Sequence, residues 1–210
     1  MKRAISEAAK DQRRDLILDA ALEEFFESGF RAARMDDIAR RAGISKGTVY
    51  LYFNSKEEVF TALVTSIALP KIEHIEQTLK RSGNIKAALH ALFQYIPTVI
   101  RESKMPKMVK ILISDAHAFP EVVRDYRENV LKRVLAALTA LLKRGCRSGE
   151  IHTPAPEHTA RLLIAPVIFS AIWIVIFEED RRSVLDVEGL FAAHEAMVLK
   201  ALAVPAGRRK

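Results

Sequence analysis

The 210-residue chain predicts an all-α protein, a three-helix N-terminal head followed by a longer helical body. Three observations carry that expectation. Apolar residues recur at spacings of three and four along most of the chain, and no stretch alternates as a half-buried strand would. Two short periodic segments meet at Gly43, where the backbone must turn sharply. The most apolar stretch, Leu162–Phe177, and the last periodic segment lie close together near the C-terminus, which suits helix-on-helix packing.

Residues 1–10, MKRAISEAAK, are charged without an apolar run and read as a flexible basic arm; no secretory signal is evident. The first helix is expected over about 11–28, with Leu16, Ile17, Ala20, Ala21 and Phe25 on its buried face and Gly29 closing it. Phe30 and Met35 complete a small core. Met35, Ile38, Ala39 and Ala42 make one face of a second helix, and Gly43 follows where positive φ is required. Ser45 is a good N-cap for a third helix through Lys46, Gly47, Thr48, Val49, Tyr50, Leu51 and Tyr52. Together these segments are a helix-turn-helix over about residues 35–54.

Val49 and Phe53 point inward in this arrangement, leaving Lys46, Thr48, Tyr50 and Tyr52 toward solvent. An ammonium, a hydroxyl and two phenols suit phosphate oxygens and base edges. Gly47, without a side chain, lets a backbone approach the helix start. Ser55-Lys56-Glu57-Glu58 is a capping box opening a fourth helix. It places Lys56 in a first turn, where a cation is unfavourable unless an anion such as phosphate lies beside it.

The residues Ile17, Ala20, Ala21, Phe25, Gly29, Phe30, Met35, Ile38, Ala39, Ala42 and Gly43, followed by Ser45-Lys46-Gly47-Thr48-Val49-Tyr50, Phe53 and Ser55-Lys56-Glu57, resemble the tetracycline-repressor (TetR) family in order and without gaps. The resemblance implies a helix-turn-helix DNA-binding domain over 11–58 and a helical ligand-binding and dimerisation domain over 59–204. It implies that Lys46, Gly47, Thr48, Tyr50 and Lys56 face DNA. Where the family usually caps its second helix with Thr or Ser, this chain has Ala33 and Arg34, so Arg34 is expected to offer a guanidinium to phosphate instead. The implied function is transcriptional regulation, as a repressor released from a near-palindromic double-stranded operator by a small effector.

Along the body, a helix is expected from Ser55 to about Lys80, kinked or broken at Pro70. Gly83 and Asn84 stop it and cap a fifth helix over about 85–103, interrupted at Pro97. A shorter helix is expected over about 106–118. Another should run from Pro120 to about Arg147 with a stripe of Val123, Tyr126, Val130, Val134, Ala137, Leu138, Leu141 and Leu142. The final two helices are expected over about 157–180 and 183–204, with residues 205–210 frayed.

Leu162–Phe177 is sixteen residues of unbroken apolar or small character, short of the roughly twenty a bilayer helix needs. A membrane-anchored helical protein is the alternative; two such helices from each of two chains forming a homodimer core is the leading reading. The effector pocket of the resembling family predicts candidate lining residues Phe93, Tyr95, Met105, Met108, His117, Phe119, Phe169 and Trp173, for an apolar or amphipathic molecule.

Lys and Arg exceed Asp and Glu by 33 to 26, which favours anionic partners. The excess is uneven. Residues 11–27 hold six acids against two arginines, whereas 28–56 hold six bases against two acids. The single cysteine, Cys146, fits a reducing, cytoplasmic setting. No nucleophile–base pair, phosphate loop, metal-ligand spacing or cofactor motif is apparent, so no catalytic, metal or cofactor site is expected.

Overall fold

The computed structural model describes residues 7–180 and 182–204, and every element among them is helical. The expected arm at 1–6 and tail at 205–210 lie outside the described residues, but residues 7–10 already belong to the first helix. In chain order the elements are α1 (Glu7–Ser28), α2 (Met35–Arg41), α3 (Lys46–Tyr50), α4 (Lys56–Arg81), α5 (Ile85–Arg101), α6 (Met105–Ser114), α7 (Pro120–Tyr126), a π turn (Arg127–Leu131), α8 (Lys132–Ser148), α9 (Pro156–Ile176) and α10 (Val187–Ala201).

Helices α1 to α3 form the head. Its interior is Ile17, Ala21, Phe25, Phe30, Ile38, Ala39, Val49 and Phe53, all buried. Leu16, expected in this interior, is 47% exposed. Because α1 packs against α2 on one side and against α4 and α6 on another, its buried stripe is wider and shifted, taking in Leu18 and Leu22. Gly29 and Gly43 both take positive φ, at 79° and 66°, where a Cβ would be strained.

Helix α4 joins head to body. Its first turns bury Val59, Phe60 and Leu63, and its middle buries Ile67, Ala68 and Ile72. Pro70 does not break it. The ring removes one N–H and crowds the turn before it, but the Lys71 ammonium donates to the Ile67 carbonyl at 2.8 Å. Pro97 likewise lies inside an uninterrupted α5, between buried Ile96 and Val99. The long helix expected from Pro120 is instead two α-helices joined by the π turn, which rotates the stripe beyond Tyr126. α6 ends at Ser114; the Ser183 hydroxyl accepts the N–H groups of Glu179 and Asp180, and α10 begins at Val187, capped by the Asp186 carboxylate, which accepts the Gly189 N–H at 2.8 Å.

Two cores result. One runs from the head through α4 to Met108, Ile111, Phe119 and Ala171. The other joins α5, α8, α9 and α10 around Leu89, Phe93, Leu142, Leu163 and Phe191. Arg133 ties α8 to α4 through both oxygens of Glu76, at 3.1 and 2.9 Å.

Gly145 of α8 lies at a close contact between α8, the start of α5 and Ile151. A Cβ there would lie 2.5 Å from Ile85 Cγ1 and 2.8 Å from Ile151 Cγ1. Both are branch atoms close to the backbone, with little freedom to retreat. Gly145→Ala is therefore expected to destabilise the fold by about 1–3 kcal/mol despite its higher helix propensity. Urea unfolding checks this; an unchanged or raised midpoint would show that the contact is looser than it stands.

Candidate nucleic-acid interface and ligand cavity

The third helix begins at Ser45, whose hydroxyl accepts the Thr48 N–H at 3.1 Å and meets the Thr48 hydroxyl at 2.8 Å. This cap orders a five-residue helix, which Val49, fully buried, pins to the head. Lys46, Gly47 and Tyr50 are exposed, and Thr48 and Tyr52 are half-buried. Tyr52 leans on the head core, so it offers less of its surface than its neighbours. Lys46 pairs with Asp36 of α2 at 2.8 Å, which raises its pKa, and lies 5.9 Å above the Tyr50 ring. Both partners of that ion pair are open to solvent, so a phosphate can displace the carboxylate.

Arg34 is the N-cap residue of α2 and makes no side-chain cap. Its guanidinium is exposed, and among the described residues it has no hydrogen-bond or ion-pair partner. Lys56 is placed differently from the sequence expectation. Its ammonium donates to the carbonyls of Phe30, Arg31 and Ala33 at 2.8, 3.0 and 3.3 Å and lies 4.8 Å above the Phe30 ring. Three acceptors use its three donors, so the anion that its position in a first turn requires is replaced by carbonyl dipoles of the α1–α2 connection. Leu51, which drew no attention in the sequence, closes α3 with 83% of its surface exposed. Only its place just after the recognition segment marks it.

Behind the head lies a cavity of about 110 Å³. It is walled by Ala68, Ile72 and Ile75 of α4, Leu92, Ile96 and Val99 of α5, and Met105, Met108 and Val109 of α6. Val130 and Leu131 of the π turn, Val134 of α8, and Ile164, Val167, Ile168 and Ala171 of α9 complete it. Two polar side chains reach this wall, Lys71 and Tyr126. The Tyr126 phenol lies deep among apolar groups, which push its pKa up to about 12.

Of the eight expected pocket residues, the structure brings Met105 and Met108 to the cavity. The other six lie elsewhere. Phe119 is locked edge-on between Phe30 and Phe60. Phe93 packs on Phe191 and His194, and Tyr95 lies against His74. Phe169 and Trp173 stack on each other at the outer face of α9, where the Trp173 indole donates to the Ser183 carbonyl. His117 borders a surface groove beside Lys56 and Glu57. Aromatic rings here fill gaps between helices, and the cavity is lined by the aliphatic residues that leave room.

Helix α6 separates cavity from head. Met105, Met108 and Val109 face the cavity, while Lys104, Lys107 and Lys110 reach α1: Lys104 to Asp19, Lys107 to Glu23 at 2.5 Å, and Lys110 to the Phe26 carbonyl at 3.0 Å. Just beyond α6, Asp115 accepts the Phe30 N–H at 3.1 Å.

A rigid helix-turn-helix with a basic, phenol-bearing third helix, carried on a helical body with an apolar cavity, defines a DNA-binding transcriptional regulator. Residues 17–63 match the family of bacterial regulatory proteins of the tetR type, and residues 79–174 match a tetracyclin repressor-like C-terminal domain. The chain belongs to the TetR family. It is 29% identical to the HTH-type transcriptional regulator YhgD of Bacillus subtilis over 90% of this chain and 96% of that one. A TetR-family regulator from Mesorhizobium loti superposes with a TM-score of 0.73 at 25% identity, covering 92% and 98% of the two chains. Bacillus subtilis FadR, solved with stearoyl-CoA, superposes at 0.65 and 22% identity over 90% and 98%. Helix α9 is long and apolar enough to cross a membrane, yet it lies in the matched C-terminal domain with Ala160, Leu163, Ser170 and Ala171 buried in the body. The membrane-anchor alternative has no support.

Lys56→Met should strand three carbonyls and lower head stability by about 1–3 kcal/mol, measured by chemical unfolding. A variant as stable as wild type would return the ammonium to the list of groups free for phosphate.

Proposed function

We propose that this regulator is a homodimeric repressor whose α3 reads a near-palindromic operator, and that an apolar or amphipathic small molecule in the cavity releases it. The observation that carries the reading is that α4 and α6 each have one part in the cavity wall and another in contact with the head. A molecule that resizes the cavity must shift helices that also fix the attitude of α3. It can do so only by binding one state better than the other. The stearoyl-CoA in the FadR structure supports an aliphatic effector.

At the operator, Lys46 and Arg34 would neutralise phosphates, Gly47 would admit the backbone, and Thr48, Tyr50 and Tyr52 would reach oxygens or base edges. Leu51 is suited to a thymine methyl. Lys56 would act from behind, fixing the loop before α2.

Leu162, Phe169, Ile176 and Phe177 around α9 and Met197 of α10 stand exposed. Pairing α9 and α10 with those of a second copy would bury this surface in a four-helix bundle. The two α3 helices would then lie about 34–36 Å apart, one turn of duplex DNA. A cytoplasmic regulator acting by binding, without catalysis, is consistent with the single half-buried cysteine.

Selection of genomic fragments by the purified protein should return a near-palindrome. Against it, Tyr50→Phe is expected to weaken binding several-fold, and Lys46→Ala to flatten the dependence of log affinity on log salt by about one. Unchanged binding in both would remove α3 from the interface. Leu162→Glu combined with Phe169→Glu should give a monomer by light scattering with lost operator affinity; a persistent dimer would place the interface elsewhere.

A further inference from the structure

We propose that Lys71 anchors the anionic head of the effector, and that the effector is an aliphatic carboxylate whose tail fills the cavity. The proposal deepens the reading of that cavity as the effector site. Lys71 is half-buried on α4, and among the described residues its ammonium hydrogen-bonds only to the Ile67 carbonyl, one turn back. Among the described residues no carboxylate lies within ion-pair distance of it. Burial, then the neighbouring Lys104 ammonium, lowers its pKa. An ammonium out of water without a counter-ion is costly, and a bound anion removes that cost.

Lys71 is also the one described residue that lines both the apolar cavity and an outer groove between α1, α4 and the segment before α6. A ligand with its tail in the cavity therefore presents its other end to this ammonium. The Tyr126 phenol, the second polar group of the wall, makes no hydrogen bond among the described residues and offers a further donor. An ammonium that can only donate, beside a phenol that can donate, in an otherwise apolar wall favours an acceptor-bearing head on an aliphatic tail. The outer groove carries Asp15, Asp19 and Glu102 besides Lys104. These carboxylates oppose a large polyphosphate head and favour a compact monoanion.

Titration calorimetry of the full-length protein with dodecanoate, dodecan-1-ol and dodecanoyl-CoA tests this. Wild type should bind dodecanoate about tenfold or more tighter than the alcohol. Lys71→Met should bind both alike, with the alcohol affinity kept. Tyr126→Phe should lower the dodecanoate preference by a smaller factor. A carboxylate preference that survives Lys71→Met, or equal binding of acid and alcohol by wild type, would overturn the anchor. A coenzyme A thioester binding tighter than the free acid would overturn the compact head. Binding of none of the three would fell the cavity reading itself.

Discussion

Four phenylalanines hold head and body in one attitude. Phe25 of α1, Phe30 of the α1–α2 connection, Phe60 of α4 and Phe119 ahead of α7 are all at most 3% exposed, with neighbouring ring centroids 4.5 to 5.5 Å apart. Their mostly edge-on or tilted contacts add directional preference to the area they bury. With this cluster formed, the head cannot tilt without moving α4 and the start of α7. A short helix such as α3, marginal by itself, thereby acquires a fixed position in the molecule.

The same cluster makes the cavity consequential. Helix α4 carries Phe60 at one end and Ile72 and Ile75 at the cavity. Helix α6 carries the methionines on one side and the lysines that grip α1 on the other. Head and cavity are therefore linked by two stiff helices and by charge pairs at their surface. The half-exposed pairs, Lys104–Asp19 and Lys107–Glu23, are individually weak. They suit a joint that slides between two arrangements, whereas the buried phenylalanines set its pivot.

The head was legible in the sequence because local signals agree there. Ser45 as cap, Gly43 at positive φ and Val49 as anchor each follow from nearest neighbours, and all three stand as expected. The helices of the body were legible in number more than in extent. Pro70 looked like a kink or a break and Pro97 like an interruption, but neither ends its helix: tertiary burial on both sides of each ring outweighs a single lost hydrogen bond. The π turn left no mark on the stripe, since Val130 fits an unbroken period equally well. The cavity was the least legible feature. A void depends on which helices fail to meet, and one-dimensional spacing does not record that, so aromatic residues were favoured over Ile72, Ile96 and Val167. The surroundings of Lys56 were illegible for a related reason: the carbonyls that accept from it come from more than twenty residues upstream.

What remains is whether head and cavity share one free energy. Linkage is reciprocal, so a ligand that weakens operator binding must itself bind the operator complex more weakly, by the same factor. The direct measurement is the affinity of an aliphatic carboxylate for the free protein and for the protein saturated with its operator. A joint of this kind gives about fivefold or more weaker binding to the complex. Equal affinities would mean that filling the cavity leaves α3 where it was, and the coupling drawn here through Phe60 and α6 would be wrong.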